Sequence, residues 1–149
     1  MTAAFSIRSG DAGDWDAVRT LLVDDGLPIA DLDASSMERF MVAESPQGDV
    51  IGAIGIEQYG QVALLRSLVI SVGERQGGVG RALVERLEAL ASSLGITEVW
   101  LLTLDADGYF SRLGYESRER EAAPPAISGT EEFSKLCPGS AVLMRRRLG

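Results

Sequence analysis

The stretch that decides the fold is Gly73-Glu74-Arg75-Gln76-Gly77-Gly78-Val79-Gly80-Arg81. Before it, the segment 62–71 carries apolar residues at both odd and even positions, which predicts a central strand covered on both faces. After it, apolar residues return at helical spacing along one stripe, which contains Val79, Leu83, Leu87, Leu90 and Leu94. The sequence therefore predicts a buried strand, a glycine-rich turn and a long amphipathic helix that is stopped by Gly95.

The flanking sequence predicts that further strands and helices complete a mixed sheet. Apolar patterns bounded by turn residues indicate strands over residues 5–8, 40–44, 50–59, 98–104, 115–120 and 140–148. Helical spacing or capping residues indicate one helix after Asp14 and short helices over residues 35–39, 105–113 and 128–136. We therefore expect an α/β (α+β) fold in which residues 1–149 form a single domain.

The glycine-rich turn has the features of a pyrophosphate cradle. Glycines let the backbone approach a bulky anion, so that successive N–H groups converge on it at the positive end of the helix. Arg75 and Arg81 flank the turn and can pair with phosphate oxygens. The dinucleotide pattern Gly-x-Gly-x-x-Gly fails because Leu83 stands at its third glycine, and the Gly-Lys-Ser/Thr of a triphosphate loop is absent. An ordinary glycine-rich turn is the alternative interpretation.

Two motifs together resemble one protein family. Arg75-x-x-Gly78-x-Gly80 resembles the acyl-CoA loop of the GNAT acetyltransferase superfamily, and Phe110-x-x-x-Gly114-Tyr115 is similar to that family's Tyr-x-x-x-Gly-Phe. The resemblance covers residues 5–115. It implies a mostly antiparallel, twisted sheet of six or seven strands, with helices on both faces and a V-shaped cleft between the two central strands. Short pieces such as Leu136-Cys137-Pro138 resemble a GNAT subgroup encoded in bacterial arsenic-resistance operons.

The resemblance implies acetyl-CoA as the cofactor and assigns residues to it. The pantetheine arm would follow the backbone of the strand before the loop, and a backbone N–H near Leu68 would polarise the thioester carbonyl. The loop and the helix N-terminus would hold the pyrophosphate. The residues implied in cofactor binding are Leu68, Val69, Ile70, Arg75, Gln76, Gly77, Gly78, Val79, Gly80, Arg81 and Phe110.

The chemistry needs a neutral amine and a proton for the departing thiolate. Glu57 interrupts an apolar strand and is the predicted general base, with a solvated strand end as the alternative. The family often takes the proton from the Tyr of its second motif, where this chain has Phe110. Tyr109 stands one residue earlier, about 100° around a helix. It is therefore either the acid or a residue that packs against the cofactor or the core.

Polar residues near the predicted cleft are candidates for binding the acceptor. Arg66 and Ser67 lie in an otherwise apolar strand, where Arg66 either clamps an anionic acceptor group or forms a structural ion pair. Tyr59 either orients the substrate or caps the sheet edge. The resulting hypothesis is acetyl transfer to the primary amine of a small molecule, such as a phosphinate or arsinate analogue of glutamate, by direct attack in a ternary complex. A protein or peptide N-acetyltransferase and a non-catalytic acyl-CoA sensor are the alternatives.

The amino-acid composition argues against several classes of binding partner. The 149 residues carry a net charge of −8, which argues against nucleic acid and against an anionic membrane as general partners. The chain has no His, so a His-containing metal site is excluded and no metal is expected. Its one cysteine, Cys137, cannot form an internal disulfide, and no signal-peptide or membrane-spanning pattern stands out. We expect a cytoplasmic location, and the family resemblance is compatible with a homodimer.

Overall fold

The computed structural model describes residues 5–75, 77–130, 133 and 140–148. The chain divides into two compact units, each assembled from separate stretches of sequence. The first unit contains the residues up to Ile56 together with Ser67–Ala89, and the second contains Glu57–Arg66 together with the residues from Leu90 onward. The glycine-rich turn therefore belongs to the first unit.

The described residues form a seven-stranded mixed sheet, as the sequence predicts. The strands are β1 (Ser6–Ser9), β2 (Phe40–Glu44), β3 (Val50–Tyr59), β4 (Val62–Ile70), β5 (Glu98–Thr103), β6 (Glu116–Arg118) and β7 (Val142–Arg147). Their order across the sheet is β1-β2-β3-β4-β5-β7-β6. The pairs β1–β2, β2–β3, β5–β7 and β6–β7 are antiparallel, whereas β4 and β5 are parallel. The parallel register joins Val62–Leu64 to Glu98–Trp100 at the start of the two strands.

The first three α-helices lie where the sequence predicts helices, with shifted ends. They are α1 (Trp15–Asp24), α2 (Val79–Ser93), α3 (Asp107–Arg112) and α4 (Pro125–Ser128), with short 3-10 helices at Ala12–Asp14, Ala34–Arg39, Val72–Glu74 and Arg120–Ala122. Within the described part of the chain, no helix is long and apolar enough to cross a membrane.

The structure corrects several predictions of local structure. Ser128 is the last residue of α4 instead of a helix N-cap, because Pro125 occupies the first turn, where its missing N–H costs nothing. Most of the remainder of the helix predicted over residues 128–136 lies outside the described residues. The predicted strand 115–120 shortens to Glu116–Arg118, since the chain turns into the 3-10 helix Arg120–Ala122. The stripe of α2 is also displaced near its end: Leu94 is 49% exposed, and Ala91, one i+4 step after Leu87, is buried in its place.

The core of the first unit fixes the strand and helix on either side of the glycine-rich turn. Its buried residues come from α1, from the segment before β2 and from β2, β3 and β4: Val18, Leu22, Met37, Phe40, Val42, Ala53 and Val69. Gly52 of β3 allows close packing here, because a Cβ at Gly52 would lie 3.2 Å from both Leu83 Cδ1 and the Val69 carbonyl oxygen. Burying a side chain such as Leu83 completely contributes roughly 1.5–3 kcal/mol.

The second unit has its own core on one face of β4, β5 and β7. Leu64 lies opposite Trp100, and Leu143 lies opposite Leu102, two residues further along β5. Leu64, Trp100 and Leu143 form one buried cluster with Ile127 of α4. At the surface of this unit, Gln58 Nε2 donates to the Leu94 carbonyl at 3.4 Å. The core around Leu64 holds β4, the strand that also carries Arg66.

Candidate functional site

The glycine-rich turn begins in a tight 3-10 turn at the end of β4. Ser71 N–H donates to the Ile51 carbonyl at 2.8 Å, and Glu74 N–H donates back to the Ser71 carbonyl at 2.9 Å. Gly77 N–H then donates to the Glu74 carbonyl at 3.2 Å. The backbone that enters the turn is therefore held by its own hydrogen bonds before any ligand is considered.

Gly78 sets the direction of the chain as it enters α2. Its φ of +79° lies in the left-handed region, which glycine adopts without the clash that a Cβ would cause. A Cβ built on Gly78 would have no heavy atom within 4 Å, so the space beside this backbone is open. The turn can accordingly be approached closely by another molecule.

The first turn of α2 presents backbone donors to the same region. Ala82 N–H donates to the Gly78 carbonyl at 3.1 Å, so the intrahelical ladder starts at Ala82. The N–H groups of Val79, Gly80 and Arg81 precede this bond and have no acceptor within the helix. They also lie at the positive end of the dipole of a 15-residue helix. This arrangement suits an anion such as a phosphate group.

The two arginines of the turn already make contacts within the protein. Arg75 Nε donates to the Ile70 carbonyl at 3.2 Å, and Arg75 Nη2 lies 3.0 Å from Asp25 Oδ1. Arg81 Nε is 3.4 Å from Glu85 Oε2, one helical turn further on, and its side chain is 67% exposed. Both guanidinium groups are surface groups, and Arg75 is the more firmly oriented because it is held at two points.

A break in strand geometry precedes the turn. Ser67 is buried yet has a φ of +60°, a left-handed conformation that is uncommon for a residue with a Cβ. Of the three residues that follow, Val69 is buried in the core, whereas Leu68 and Ile70 are half-buried. Strained backbone of this kind persists only where the surrounding structure enforces it, and it is common at functional sites.

The second unit brings three of the predicted site residues together. Arg66, whose side chain is 1% exposed, pairs through Nη1 with Glu57 Oε2 at 3.0 Å. Tyr59 donates its hydroxyl to Glu57 Oε1 at 2.6 Å. Each carboxylate oxygen therefore has one donor and retains a further lone pair. Of the two roles open to Arg66, the structure shows the ion pair.

The second motif lies in a small aromatic cluster. Phe110 is buried, and its ring meets those of Tyr109 and Tyr115 edge to face, at centroid distances of 5.4 and 5.6 Å. Tyr115 N–H also donates to the Phe110 carbonyl at 3.0 Å, which closes the turn after α3. The ring of Phe110 therefore packs against both tyrosine rings, and its predicted contact with the cofactor stays a prediction.

The predicted site residues divide between the two units. The first unit holds Ser67, the strand residues Leu68–Ile70 and the loop residues Arg75 and Gly77–Arg81; Gln76 lies outside the described residues. The second holds Glu57, Tyr59, Arg66, Tyr109 and Phe110. Sequence reasoning missed Asp25, which is 50 positions from Arg75 and follows a helix with no motif around it. In the described part of the chain, no three His, Cys, Asp or Glu residues are grouped to hold a metal ion.

Comparison with known proteins identifies the family. The acetyltransferase (GNAT) domain model matches residues 36–117, which is more than half of the chain. The match includes the strand, the glycine-rich turn and the helix described above, as well as the Phe110–Tyr115 motif. The chain therefore belongs to the GNAT acetyltransferase family.

Individual relatives agree with this membership. An uncharacterized N-acetyltransferase of Chlorobaculum tepidum is 43% identical over 89 residues, which cover 59% of this chain and 56% of that protein. The chain thus spans about half the length of this curated relative.

Solved structures share the fold at low sequence identity. N-acetylglutamate synthase from Neisseria gonorrhoeae, complexed with coenzyme A and N-acetyl-glutamate, matches with a TM-score of 0.85 and 18% identity, over 100% of this chain and 36% of that one. A Mycobacterium tuberculosis protein in complex with CoA matches with a TM-score of 0.82 and 21% identity, over 97% and 99% of the two chains. Ard1 from Thermoplasma volcanium matches with a TM-score of 0.72 and 19% identity, over 98% and 99%. At these identities the likeness shows the fold alone.

Proposed function

We propose that this chain is an N-acetyltransferase that transfers the acetyl group of acetyl-CoA to the primary amine of a small molecule. The observation that carries the proposal is the turn at Gly78, where an open glycine backbone meets the unpaired N–H groups at the start of α2. Membership of the GNAT family supports it, and so do fold relatives that were crystallised with coenzyme A. In this proposal residues 1–149 act as one transferase domain.

The first unit would hold the cofactor. The N–H groups of Val79, Gly80 and Arg81 would donate to the diphosphate, and Arg75 would add a positively charged edge. The backbone of Leu68, Val69 and Ile70 would hydrogen-bond the pantetheine arm as an added strand does. Gln76 remains part of this proposed set. The fit rests on the chain itself: Gly78 needs no side-chain movement to admit a ligand, because no atom lies within 4 Å of the position that a Cβ would occupy.

The second unit would supply the proton chemistry. Bound acetyl-CoA supplies an activated thioester carbonyl, which only a neutral amine can attack. Glu57 would take the proton that the amine must lose, using the lone pairs left by Arg66 and Tyr59. Arg66 and Tyr59 would hold the carboxylate in one orientation, which is the positioning role that their contacts allow. The proton needed by the departing thiolate would come from Tyr109 or from solvent.

The acceptor is proposed to be an amino-acid-like amine, including the phosphinate and arsinate analogues of glutamate. The gonococcal relative was crystallised with N-acetyl-glutamate, an acetylated amino acid, and it shares this fold. In the ion pair of Arg66 with Glu57 the two charges balance, so the acceptor panel includes both acidic and neutral amines.

A non-catalytic acyl-CoA sensor is the second candidate function. It is favoured by one observation: Phe110, which has no hydroxyl, is buried at the position of the family's usual proton donor. A sensor would bind the cofactor tightly and release no thiol with any amine.

One experiment tests both candidates. We expect saturating acetyl-CoA to raise the melting temperature of the protein, because a ligand that binds only the folded state stabilises it by mass action. We then expect thiol release with at least one amine in a panel of amino acids, their phosphinate and arsinate analogues, polyamines and short peptides. An unchanged melting temperature would contradict the proposed cofactor site. A raised melting temperature without thiol release across the panel would favour the sensor. Size-exclusion chromatography on the same sample tests for a homodimer.

A further inference from the structure

Asp25 occupies an electrostatically unfavourable position. It follows α1 directly, where the unpaired carbonyl groups give the helix end a partial negative charge. The last turn of α1 has no basic residue, and Asp24 adds a second carboxylate beside Asp25. A carboxylate at this end of a helix needs a compensating partner from elsewhere in the chain.

Arg75 is that partner, and the contact fixes its guanidinium. Arg75 Nη2 lies 3.0 Å from Asp25 Oδ1, and Arg75 Nε donates to the Ile70 carbonyl at 3.2 Å. The backbone of Arg75 is itself held in a helical conformation, with φ −67° and ψ −19°, at the end of the 3-10 turn. Contacts at two of its three nitrogens fix the orientation of the guanidinium plane. Without these contacts, the flexible side chain would sample many orientations.

The remaining edge of Arg75 is available to a ligand. Among the described residues, its Nη1 has no hydrogen-bond partner, and 49% of the side chain is exposed. Arg75 stands two residues before Gly77 and three before Gly78, where the turn opens. A planar guanidinium with one free edge is suited to a phosphate oxygen pair.

We propose that Asp25 is a positioning residue, which orients Arg75 so that its free edge meets the diphosphate of coenzyme A. The inference rests on the proposed function, because it assumes that the turn binds this cofactor. Asp25 itself would repel the phosphates, so its benefit comes only through the orientation of Arg75. The role therefore depends on an acceptor oxygen at position 25, which an amide oxygen can also supply.

Matched variants separate orientation from charge. Asp25→Ala removes the acceptor oxygen and the charge, Asp25→Asn removes only the charge, and Asp24→Ala removes the same charge from the neighbouring exposed position. The Kd of coenzyme A is measured by titration calorimetry for each variant, together with the melting temperature without ligand. We expect Asp25→Ala to raise Kd three- to tenfold, and Asp25→Asn and Asp24→Ala to stay within twofold of the wild type.

Two further measurements test whether the loss of affinity in Asp25→Ala acts through Arg75 and the diphosphate. In an Arg75→Ala background, Asp25→Ala should change Kd no further, since it acts only through Arg75. With dephospho-coenzyme A, which keeps the diphosphate and lacks the 3′-phosphate, the same three- to tenfold loss should remain.

Several results would overturn the inference. These are an unchanged Kd in Asp25→Ala, an equal loss in Asp25→Asn or Asp24→Ala, a loss that persists without Arg75, and a loss that vanishes with dephospho-coenzyme A. If the wild-type protein binds no coenzyme A, the proposed function and the inference both fail. If it binds coenzyme A and Asp25→Ala binds equally well, only the inference fails.

Discussion

Arg66 Nη1 lies 3.0 Å from Glu57 Oε2, so the buried cation of the central strand is neutralised by the carboxylate proposed as the general base. The two side chains are unequally protected: 1% of the Arg66 side chain is exposed, compared with 21% of that of Glu57. The arginine is therefore shielded from solvent, whereas the carboxylate can still be reached by solvent or by an amine. This asymmetry leads to two separate predictions, one for catalysis and one for stability.

We predict that Glu57→Gln lowers kcat at least tenfold with the best acceptor from the thiol-release panel. Gln keeps the shape and an oxygen that Arg66 can reach, yet it cannot accept a proton from the amine. A tenfold loss corresponds to about 1.4 kcal/mol of activation free energy. The control is Glu116→Gln, since Glu116 is also a strand carboxylate near an arginine, at 3.6 Å from Arg118. A wild-type rate in Glu57→Gln would remove Glu57 from the mechanism.

For stability, we predict that Glu57→Ala costs more than Arg66→Met. Removing Glu57 takes one carboxylate away from a buried guanidinium, and breaking a buried ion pair from one side typically costs about 3–5 kcal/mol. Removing Arg66 leaves a carboxylate that water can reach, and Met fills much of the vacated space. Urea unfolding of both variants gives the two free energies of unfolding. The argument fails if Arg66→Met is the more destabilised variant.

The sequence was sufficient to predict most helices and strands of this fold. It was not sufficient to predict the polar side-chain contacts between them. The spacing of Val79, Leu83 and Leu87 predicted α2, and Gly95, with its φ of +80°, does follow that helix closely. In contrast, the contact of Asp25 with Arg75 spans 50 positions and depends on where α1 ends relative to β4. Hydrophobic period reports which face of an element is buried, and it carries no information about which polar groups meet at the ends of elements.

The positive φ of Ser67 was equally beyond prediction from the sequence. Serine has no special preference for the left-handed region, so the residue type gave no signal for a break in β4. Glu57 and Arg66 could each be singled out as polar residues in apolar strands. Their pairing could not, because it depends on the register between β3 and β4, which neither strand encodes by itself.

Two substitutions in the glycine-rich turn distinguish an effect on protein stability from an effect on cofactor binding. We predict that Gly78→Ala lowers the free energy of unfolding by roughly 1–2 kcal/mol, because alanine is strained at a φ of +79°. Gly77→Ala should leave stability nearly unchanged, since its Cβ would lie at an ordinary 3.6 Å from the Glu74 carbonyl oxygen. Both variants should weaken acetyl-CoA binding, because each adds a methyl group where the diphosphate of the cofactor is proposed to approach the backbone of the turn.

Thermal denaturation with and without acetyl-CoA measures both effects on the same samples. The informative variant is Gly77→Ala, which isolates ligand approach from backbone strain. If Gly77→Ala is as responsive to acetyl-CoA as the wild type, the diphosphate does not approach this side of the turn.

The pH dependence of stability should reflect the ion pair between Arg8 and Asp14. Hydrogen bonds from Arg8, at 2.8 and 2.9 Å, hold the pKa of Asp14 below its ordinary value of 3.8. A lowered pKa in the folded protein means that the stabilisation is fully present above pH 3.8 and is lost as the pH falls through the folded-state pKa. We therefore predict that Asp14→Asn reduces the difference in unfolding free energy between pH 6 and pH 3, measured in urea. Asp16→Asn, an exposed change two residues further along the chain, is the control and should leave that difference intact.

Tyr109 provides the final test, which concerns the proton that the departing thiolate needs. Its ring packs edge to face on buried Phe110 at 5.4 Å, and Phe can keep that contact without the hydroxyl. We therefore predict that Tyr109→Phe keeps kcat within twofold of the wild type, while Tyr109→Ala, which removes the ring, lowers the melting temperature. Steady-state thiol release and thermal denaturation give the two readouts. A tenfold lower kcat in Tyr109→Phe at an unchanged melting temperature would instead make the hydroxyl of Tyr109 the proton donor, since the ring and its packing are retained and only the acid is lost.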